Sequence, residues 1–242
     1  MSGLLELRGV GKRFGGLVAV EQLSFAVREN EVLGLIGPNG SGKTTVINLI
    51  SGALKPSGGE IHFRGARISE RPARAIARAG VARTFQLVRV LPSLSVLENV
   101  MAGAVFGRQR LWGDAARHFA QRQLERVGMA HAAGAATQSL TYIDEKRIEL
   151  ARALACDPQL LLLDEWLAGL NPTELQVGIE LIRGLRDEGR TIVLVEHVMD
   201  AIRSLCDRCV VMNGGTKIAE GTPEAALADP EVIRAYLGED HA

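Results

Sequence analysis

The sequence predicts an α/β fold: a mostly parallel sheet, with an N-terminal antiparallel β region before it and a helical region inserted in it. Short, almost wholly apolar runs occur at 32–36, 160–163 and 191–195. Each is followed by a turn or polar cluster and then by a helical pattern, which is typical of parallel strands that are buried on both faces. Residues 3–30 alternate loosely around a Gly-Gly pair, which predicts short antiparallel strands.

The helical region lies in the middle of the chain. Residues 95–155 lack strand signals and have helical periodicity at 115–127 and 146–155, with a Gly- and Ala-rich break at 128–136. A chain of 242 residues is long enough for one large domain with a smaller subdomain. We therefore expect a single domain over residues 1–242.

Within that domain, the boundaries follow the change from strand to helix signals. Residues 1–92 and 156–242 are predicted to form the core with its β region. Residues 93–155 are predicted to form the helical subdomain.

Composition excludes several classes of protein. Hydrophobic residues make up 47% and charged residues 23%, and the 28 basic residues balance the 28 acidic ones, which argues against sequence-independent nucleic-acid binding. The sequence has no apolar stretch of about 18 residues and no basic-apolar leader, so we expect a cytoplasmic protein. Cys206 and Cys209 form a lone C-x-x-C, which we interpret as structural because no second ligand pair follows.

Residues 37–45 form a complete G-x-x-x-x-G-K-[ST] phosphate-binding loop between an apolar run and a helical one. Glycines let the backbone close so that several N–H groups point at one anion, and the helix that follows presents its positive dipole end. We expect Lys43 to reach the β- and γ-phosphate oxygens and Thr44 to ligate Mg²⁺. The predicted loop comprises Gly37, Pro38, Asn39, Gly40, Ser41, Gly42, Lys43, Thr44 and Thr45.

A second motif narrows the chemistry to nucleotide hydrolysis. The apolar run 160–163 ends in Asp164 and Glu165, and ligands bind at the carboxyl ends of parallel strands. Asp164 is predicted to hold Mg²⁺ through water, and Glu165 to orient or deprotonate the attacking water. Gln86 follows the run at 80–85 and could sit at a strand end near Mg²⁺, and His197 follows the run at 191–195 and could touch the γ-phosphate. A structural role is the alternative for each of these two.

The order of these motifs resembles that of the ATP-binding subunits of ABC transporters, a family of P-loop ATPases. The same order includes a helix that opens near Leu140, and the resemblance covers nearly the whole chain. The segments most similar to the larger ATP-binding subunit of branched-chain amino-acid importers are residues 13–17, 83–86, 168–172, 218–224 and 232–238.

The resemblance implies ATP and Mg²⁺ as ligands and a peripheral position at the cytoplasmic face of a membrane. It places Phe14 as the aromatic that stacks on adenine, with Val20 in the same site; an ordinary core aromatic is the alternative for Phe14. Two ATPase subunits would enclose two ATP molecules head to tail, each site using the loop of one chain and the signature segment of the other. Residues 87–99 would contact one of two membrane permease subunits. These permease subunits would receive the solute from a separate binding protein.

The signature segment departs from the family pattern. The family has Leu-Ser-Gly-Gly-Gln or Leu-x-Tyr-Gly-Gln at this place. Ile143 would obstruct the close approach of a phosphate that glycine allows, and Asp144 adds negative charge at a helix start. Thr141 and Asp144 also have capping-box spacing. The segment here reads Leu140, Thr141, Tyr142, Ile143 and Asp144.

These departures suggest a heterodimer with a sister ATPase and one slow site, where this segment completes the partner's site. The alternative is that backbone donors suffice and both sites work. Trp166 is a second departure, because proline is common after the catalytic acid, and its role stays open.

Three other functions remain as alternatives. The first is the ATPase of a lipopolysaccharide exporter, which shares the ending at 236–240; the helical stretch near 103–125 and residues 169–172 argue against it. The second is a nucleotide-gated regulatory subunit with weak hydrolysis, disfavoured by the presence of Glu165 and His197. The third is a DNA-repair or translation ATPase, which would carry a second ATPase domain or a coiled-coil insertion.

Overall fold

The computed structural model describes residues 3–237, and two β-sheets organise them. The predictions that involve residues 238–240 lie outside these residues. The first sheet is antiparallel, with its strands in the order β2-β1-β4-β5. Its strands are β1 (Leu5–Phe14), β2 (Leu17–Val27), β4 (Gly58–Phe63) and β5 (Ala66–Arg67). The predicted antiparallel pair at the N-terminus is therefore confirmed, although at ten and eleven residues its strands are not short.

The second sheet confirms the predicted parallel core. Its strands are β3 (Val32–Ile36), β6 (Val81–Arg83), β7 (Leu160–Asp164), β8 (Thr191–Val195), β9 (Arg208–Asn213) and β10 (Thr216–Gly221). They lie in the order β10-β9-β3-β8-β7-β6, and every pair except β10 with β9 is parallel. The three apolar runs of the sequence are thus neighbours at the centre of the sheet.

The central strands are buried on both faces because alternate side chains enter two different cores. Leu33 and Leu162 pack in a core between the two sheets, whereas Val32 and Leu161 pack in a core that continues into the helical region. This follows from the two-residue period of a strand. Burial of each such aliphatic side chain contributes about 1.5–3 kcal/mol.

Helices cover the parallel sheet and fill the middle of the chain. They are α1 (Lys43–Ile50), α2 (Ala73–Ala79), α3 (Val96–Phe106), α4 (Gly113–Arg126), α5 (Tyr142–Ala155), α6 (Pro172–Asp187), α7 (Met199–Leu205), α8 (Pro223–Leu227) and α9 (Pro230–Leu237). α3, α4 and α5 pack against one another as the helical region. No helix of residues 3–237 has both the length and the apolar character that a membrane span requires.

The C-x-x-C pair has a structural position. Cys209 is buried in β9, and Cys206 is buried just after α7 rather than in a strand. A Cβ atom on Gly34 of β3 would lie 3.0 Å from both sulfur atoms, so the two thiols pack directly against this glycine. Within residues 3–237 there is no group of three His, Cys, Asp or Glu side chains that could hold a metal ion.

Candidate active site

The phosphate loop joins β3 to α1, and its shape requires glycine at both ends. Gly37 has φ +146°, and a Cβ atom there would lie 2.1 Å from the carbonyl oxygen of Met212. Gly42 has φ +103°, and its Cβ atom would lie 2.5 Å from the carbonyl oxygen of Ala19. Since no other residue fits these approaches, glycine lets the loop close tightly, and a tightly closed loop of this kind points backbone N–H groups at an anion.

Lys43 begins α1 and is almost wholly buried. Its Nζ donates to the carbonyl oxygens of Gly37 and Pro38 at 2.7 and 2.8 Å, which holds the ammonium group inside the loop. The first turn of α1 contains no acidic residue, so the helix dipole is not offset there. This local charge favours a bound anion.

A cavity of about 420 Å³ opens above the loop. Loop residues that include Thr44 and Thr45 line it, together with Gln86 and Glu165. Its other wall consists of Phe14, Leu17, Val18 and Ala19. The cavity thus joins the predicted phosphate residues to an apolar wall.

Phe14 is not a core aromatic. Its ring is 45% exposed on the cavity wall, and Nζ of Lys12 lies 5.0 Å from the ring centroid. Val20, in contrast, is buried in the core between the sheets, with Cγ2 close to Gly42. The structure therefore places Val20 behind the loop, and Val18 on the cavity wall.

Three polar side chains meet at the edge of the cavity: Gln86 and Glu165 line it, and His197 contacts Glu165. Oε2 of Glu165 accepts from Nε2 of Gln86 at 2.7 Å, and Oε1 lies 2.9 Å from Nε2 of His197. Glu165 has φ +51°, an uncommon conformation for a residue with a side chain, and its N–H donates to Val195 at 2.9 Å. β6 ends three residues before Gln86, so this residue reaches the cluster from a loop.

Asp164 is buried beside this cluster and is held by Arg83 at 3.2 Å. Burial raises the pKa of Asp164, whereas Arg83 opposes that rise. Its Oδ1 is buried and has no hydrogen-bond partner among the described residues. A buried carboxylate oxygen left open in this way fits the oxygen ligands that Mg²⁺ prefers.

Sequence reasoning did not assign Arg83 a role. Its guanidinium group also donates to Oδ1 of Asn48 at 2.7 Å, which joins β6 to α1. Sequence reasoning could have identified Arg83 as a basic residue at the end of β6, because β6 pairs with β7, the strand that ends in Asp164.

Two buried glutamates were also missed. Glu149 of α5 accepts from the N–H groups of Phe85 and Arg89 at 3.1 and 3.0 Å, and so holds the segment that contains Gln86. Glu196 follows β8, and its Oε1 accepts from the N–H of Leu167 at 2.6 Å. Burial raises the pKa of Glu149, and it raises the pKa of Glu196 to about 7.

Two hydrogen bonds within the signature segment join Thr141 to Asp144. Thr141 caps α5: its Oγ1 accepts from the N–H of Asp144 at 3.3 Å and donates to Oδ2 of Asp144 at 2.7 Å. The cap thus has the predicted spacing, but its second bond goes to the hydroxyl rather than to the backbone N–H. Tyr142 is exposed and Leu140 half-buried. Ile143 lines a cavity of about 370 Å³ together with Trp166.

Comparison with known proteins agrees with this geometry. The family model described as ABC transporter matches residues 20–168, and one described as Branched-chain amino acid ATP-binding cassette transporter matches residues 216–242. The chain is 43% identical to the high-affinity branched-chain amino acid transport ATP-binding protein LivG of Salmonella typhimurium, over 98% of each chain. It is 34% identical to the lipopolysaccharide export system ATP-binding protein LptB of Escherichia coli, also over 98% of each.

A solved structure extends the agreement to the fold. An ATP-binding cassette of an ABC transporter in its ADP conformation has 29% identity and a TM-score of 0.88, with 98% of this chain and 100% of that chain covered. The family match spans more than half of the sequence and includes the phosphate loop, Gln86 and Glu165. The chain belongs to the ATP-binding cassettes of ABC transporters and is an ATPase of that family.

Proposed function

We propose that this chain is the ATP-hydrolysing motor subunit of an importer for branched-chain or related amino acids. The observation that carries the proposal is that Glu165, on the cavity of the phosphate loop, is bonded to Gln86 through one carboxylate oxygen and lies beside His197 at the other. A regulatory subunit that only binds ATP would not need this polar arrangement at the place where the γ-phosphate would lie. The fold and the family membership of the chain support hydrolysis.

The residues divide the work of hydrolysis among them. The loop N–H groups and Lys43 bind the β- and γ-phosphates, and Phe14 stacks on adenine. Glu165 accepts a proton from the attacking water, while Gln86 and His197 orient its two carboxylate oxygens. Thr44, Gln86 and Asp164 would hold Mg²⁺. The ion, when bound, neutralises charge on the phosphates.

The partners follow from the same proposal. A sister ATPase would supply the signature segment opposite this loop, and residues 87–99 would face one of two permease subunits. A solute-binding protein would act indirectly, and nucleic acid is not a partner. The chain would then be a peripheral protein at the cytoplasmic face of the membrane. The core over 1–92 and 156–242 and the helical subdomain over 93–155 would form one ATPase domain.

The higher identity to LivG than to LptB favours amino-acid import over lipopolysaccharide export. Uptake of labelled leucine by proteoliposomes that contain the complete transporter tests this directly. We expect ATP-dependent uptake that Glu165→Gln abolishes. Uptake of urea or short amides without leucine would correct the solute class, and no uptake of any of these would contradict the importer assignment.

We further propose that the dimer is heteromeric and that the site completed by this signature segment is slow. Asp144 supports this more strongly than Ile143, because Asp144 brings a carboxylate to the start of α5 while Ile143 lies on the wall of a cavity within its own chain. Arg147 lies 3.7 Å from Asp144 and offsets part of that charge.

Restoring the family residues tests the slow site. We expect Ile143→Gly with Asp144→Gln to raise hydrolysis by the assembled pair, since losing one preorganised donor to a developing anion costs roughly 10²–10³-fold. Unchanged hydrolysis would support the alternative, in which both sites already work.

A further inference from the structure

Lys146 and Trp166 join α5, the helix that begins within the signature segment, to the segment that contains Glu165. Nζ of Lys146 donates to the carbonyl oxygens of Trp166 and Ala168 at 2.9 and 2.7 Å, and lies 3.4 Å from that of Glu165. In return, Nε1 of Trp166 donates to the carbonyl oxygen of Lys146 at 3.1 Å. The two side chains therefore exchange hydrogen bonds across the junction between α5 and the end of β7.

Both side chains are almost wholly inside the protein. Lys146 and Trp166 are each 2% exposed, so their hydrogen bonds are shielded from water. Burial lowers the pKa of Lys146, whereas Glu196 and Glu149 oppose that change. Burying an ammonium group costs free energy unless hydrogen bonds replace its contacts with water. The three carbonyl oxygens around Nζ of Lys146 supply such hydrogen bonds.

The rest of the fold makes room for the indole. A Cβ atom on Gly178 of α6 would lie 3.2 Å from Cζ3 of Trp166 and 2.6 Å from Cδ2 of Leu167. The absence of a side chain at this position lets α6 pack closely over both residues. Trp166 thus occupies a fitted position, although sequence patterns left its role open.

The segment that these residues hold contains a backbone that needs support. Glu165 has a positive φ, which is sparsely populated for a residue with a side chain and persists only when its surroundings hold it. The N–H of Glu165 donates to Val195, the carbonyl oxygens that follow accept from Lys146, and the N–H of Leu167 donates to Glu196. The contacts are therefore on both sides of the carboxylate residue.

We propose that Lys146 and Trp166 are positioning residues for hydrolysis, which keep Glu165 in line with Gln86 and His197. They act through the backbone of residues 165–168 and touch no nucleotide. The same contacts make the position of Glu165 depend on α5, whose first turn is the signature segment. This inference rests on the proposed role of Glu165 as the base.

The test measures kcat and KM for ATP with the assembled ATPase. Trp166→Phe removes the indole donor together with one ring of the buried side chain, and Lys146→Met removes all three donations. We expect kcat to fall roughly 10- to 100-fold, because small displacements of a reacting group have effects of that size, with KM for ATP nearly unchanged. Lys146→Arg, which retains a charged donor, is expected to recover most of kcat.

Matched controls separate positioning from general damage. Trp112 is the chain's other tryptophan and is 71% exposed, so Trp112→Phe is the control for Trp166→Phe. Lys217, paired with Glu220 at the surface of β10, gives Lys217→Met as the control for Lys146→Met. Both controls are expected to keep wild-type kcat. If Lys146→Met does not fold, Trp166→Phe decides the matter, and unchanged kcat in that variant would overturn the inference.

The outcomes distinguish this inference from the proposed function. Unchanged kcat in Trp166→Phe and Lys146→Met, or a parallel loss of kcat and ATP affinity, would overturn the inference. Glu165→Gln is measured beside them. If Glu165→Gln abolishes hydrolysis while the Lys146 and Trp166 variants do not alter it, only the positioning role fails. If Glu165→Gln leaves hydrolysis intact, the proposed function of the site fails first.

Discussion

The phosphate loop and the start of α5 are both turns that lead into a helix, yet they differ in what satisfies their backbone. The loop has glycines where side chains would collide, and α1 begins without any acidic residue. The start of α5 is capped by Thr141, and its first turn contains Asp144 and Glu145. The comparison indicates that α1 is arranged to receive an anion, whereas α5 supplies its own acceptors.

The first and largest predicted effect is on ATP hydrolysis and concerns Glu165, which lines the cavity of the phosphate loop. Glu165→Gln removes the carboxylate that accepts the proton, while the amide keeps the size of the side chain. We expect ATP hydrolysis to fall by roughly 10²–10⁴-fold. Steady-state phosphate release measures this, and Glu180→Gln, a surface substitution on α6, is the control. A loss below threefold would mean that Glu165 is not the base.

The second prediction separates crowding in the loop from backbone strain alone. Gly42→Ala places a Cβ atom 2.5 Å from a carbonyl oxygen, whereas Gly40 has φ +73° but nothing within 4 Å of its Cβ position. We expect Gly42→Ala to lower the free energy of unfolding by roughly 2–4 kcal/mol, and Gly40→Ala by about 1–2 kcal/mol. Urea unfolding measures both, and equal losses would show that close approach does not shape the loop.

The third prediction concerns Glu196, which follows β8 and accepts from the N–H of Leu167. Its pKa is raised from 4.5 to about 7 in the folded chain, so the unfolded chain releases the proton first as pH rises. Folding stability should therefore fall between these values, by about 3 kcal/mol in total, and stay level above pH 7.

Glu196→Gln keeps an acceptor for Leu167 and removes this titration. The difference in free energy of unfolding between the variant and the wild type should then favour the variant more at pH 8 than at pH 5. Urea titrations at the two pH values measure the change. An identical difference at both would contradict the buried titration.

The smallest predicted effect is on folding stability and concerns the cap at the start of α5. Thr141→Ala removes the cap and should cost about 1 kcal/mol of stability. Thr222→Ala, at the same cap position of α8, is the matched comparison because its Oγ1 also accepts from the third residue of its helix. Thermal unfolding checks both variants. A stabilising effect of Thr141→Ala would mean that the internal cap does not hold this end of α5.

The two regions also differ in how far the sequence alone predicts them. The phosphate loop is contiguous, so its glycines, Lys43 and Thr44 could be recognised without knowledge of the fold. The parallel strands were predictable for a similar reason, since their burial on both faces leaves unbroken apolar runs. β4, β5 and α2 were not predicted: in β4 only Ile61 and Phe63 are buried, so the pattern is weak.

Residues whose contacts join distant parts of the chain could not be predicted from the sequence. Lys146 and Glu196 look like ordinary charged residues in the chain, and their burial depends on how α5, β7 and β8 meet. Val20 was expected in the nucleotide site by resemblance, but the register of β1 with β2 places its side chain in the core. Trp166 was visible as a departure, and the role that we propose for it rests on its hydrogen bond to Lys146.

The central claim is that the hydrolytic site is formed by this chain's own loop and Glu165. The most direct measurement is steady-state ATP hydrolysis by the purified chain, alone and mixed with its sister ATPase, with Glu165→Gln placed in this chain only. The account predicts activity in the mixture that this substitution abolishes. Full activity of a mixture that carries Glu165→Gln would contradict it, because hydrolysis would then occur at a site that this chain does not provide.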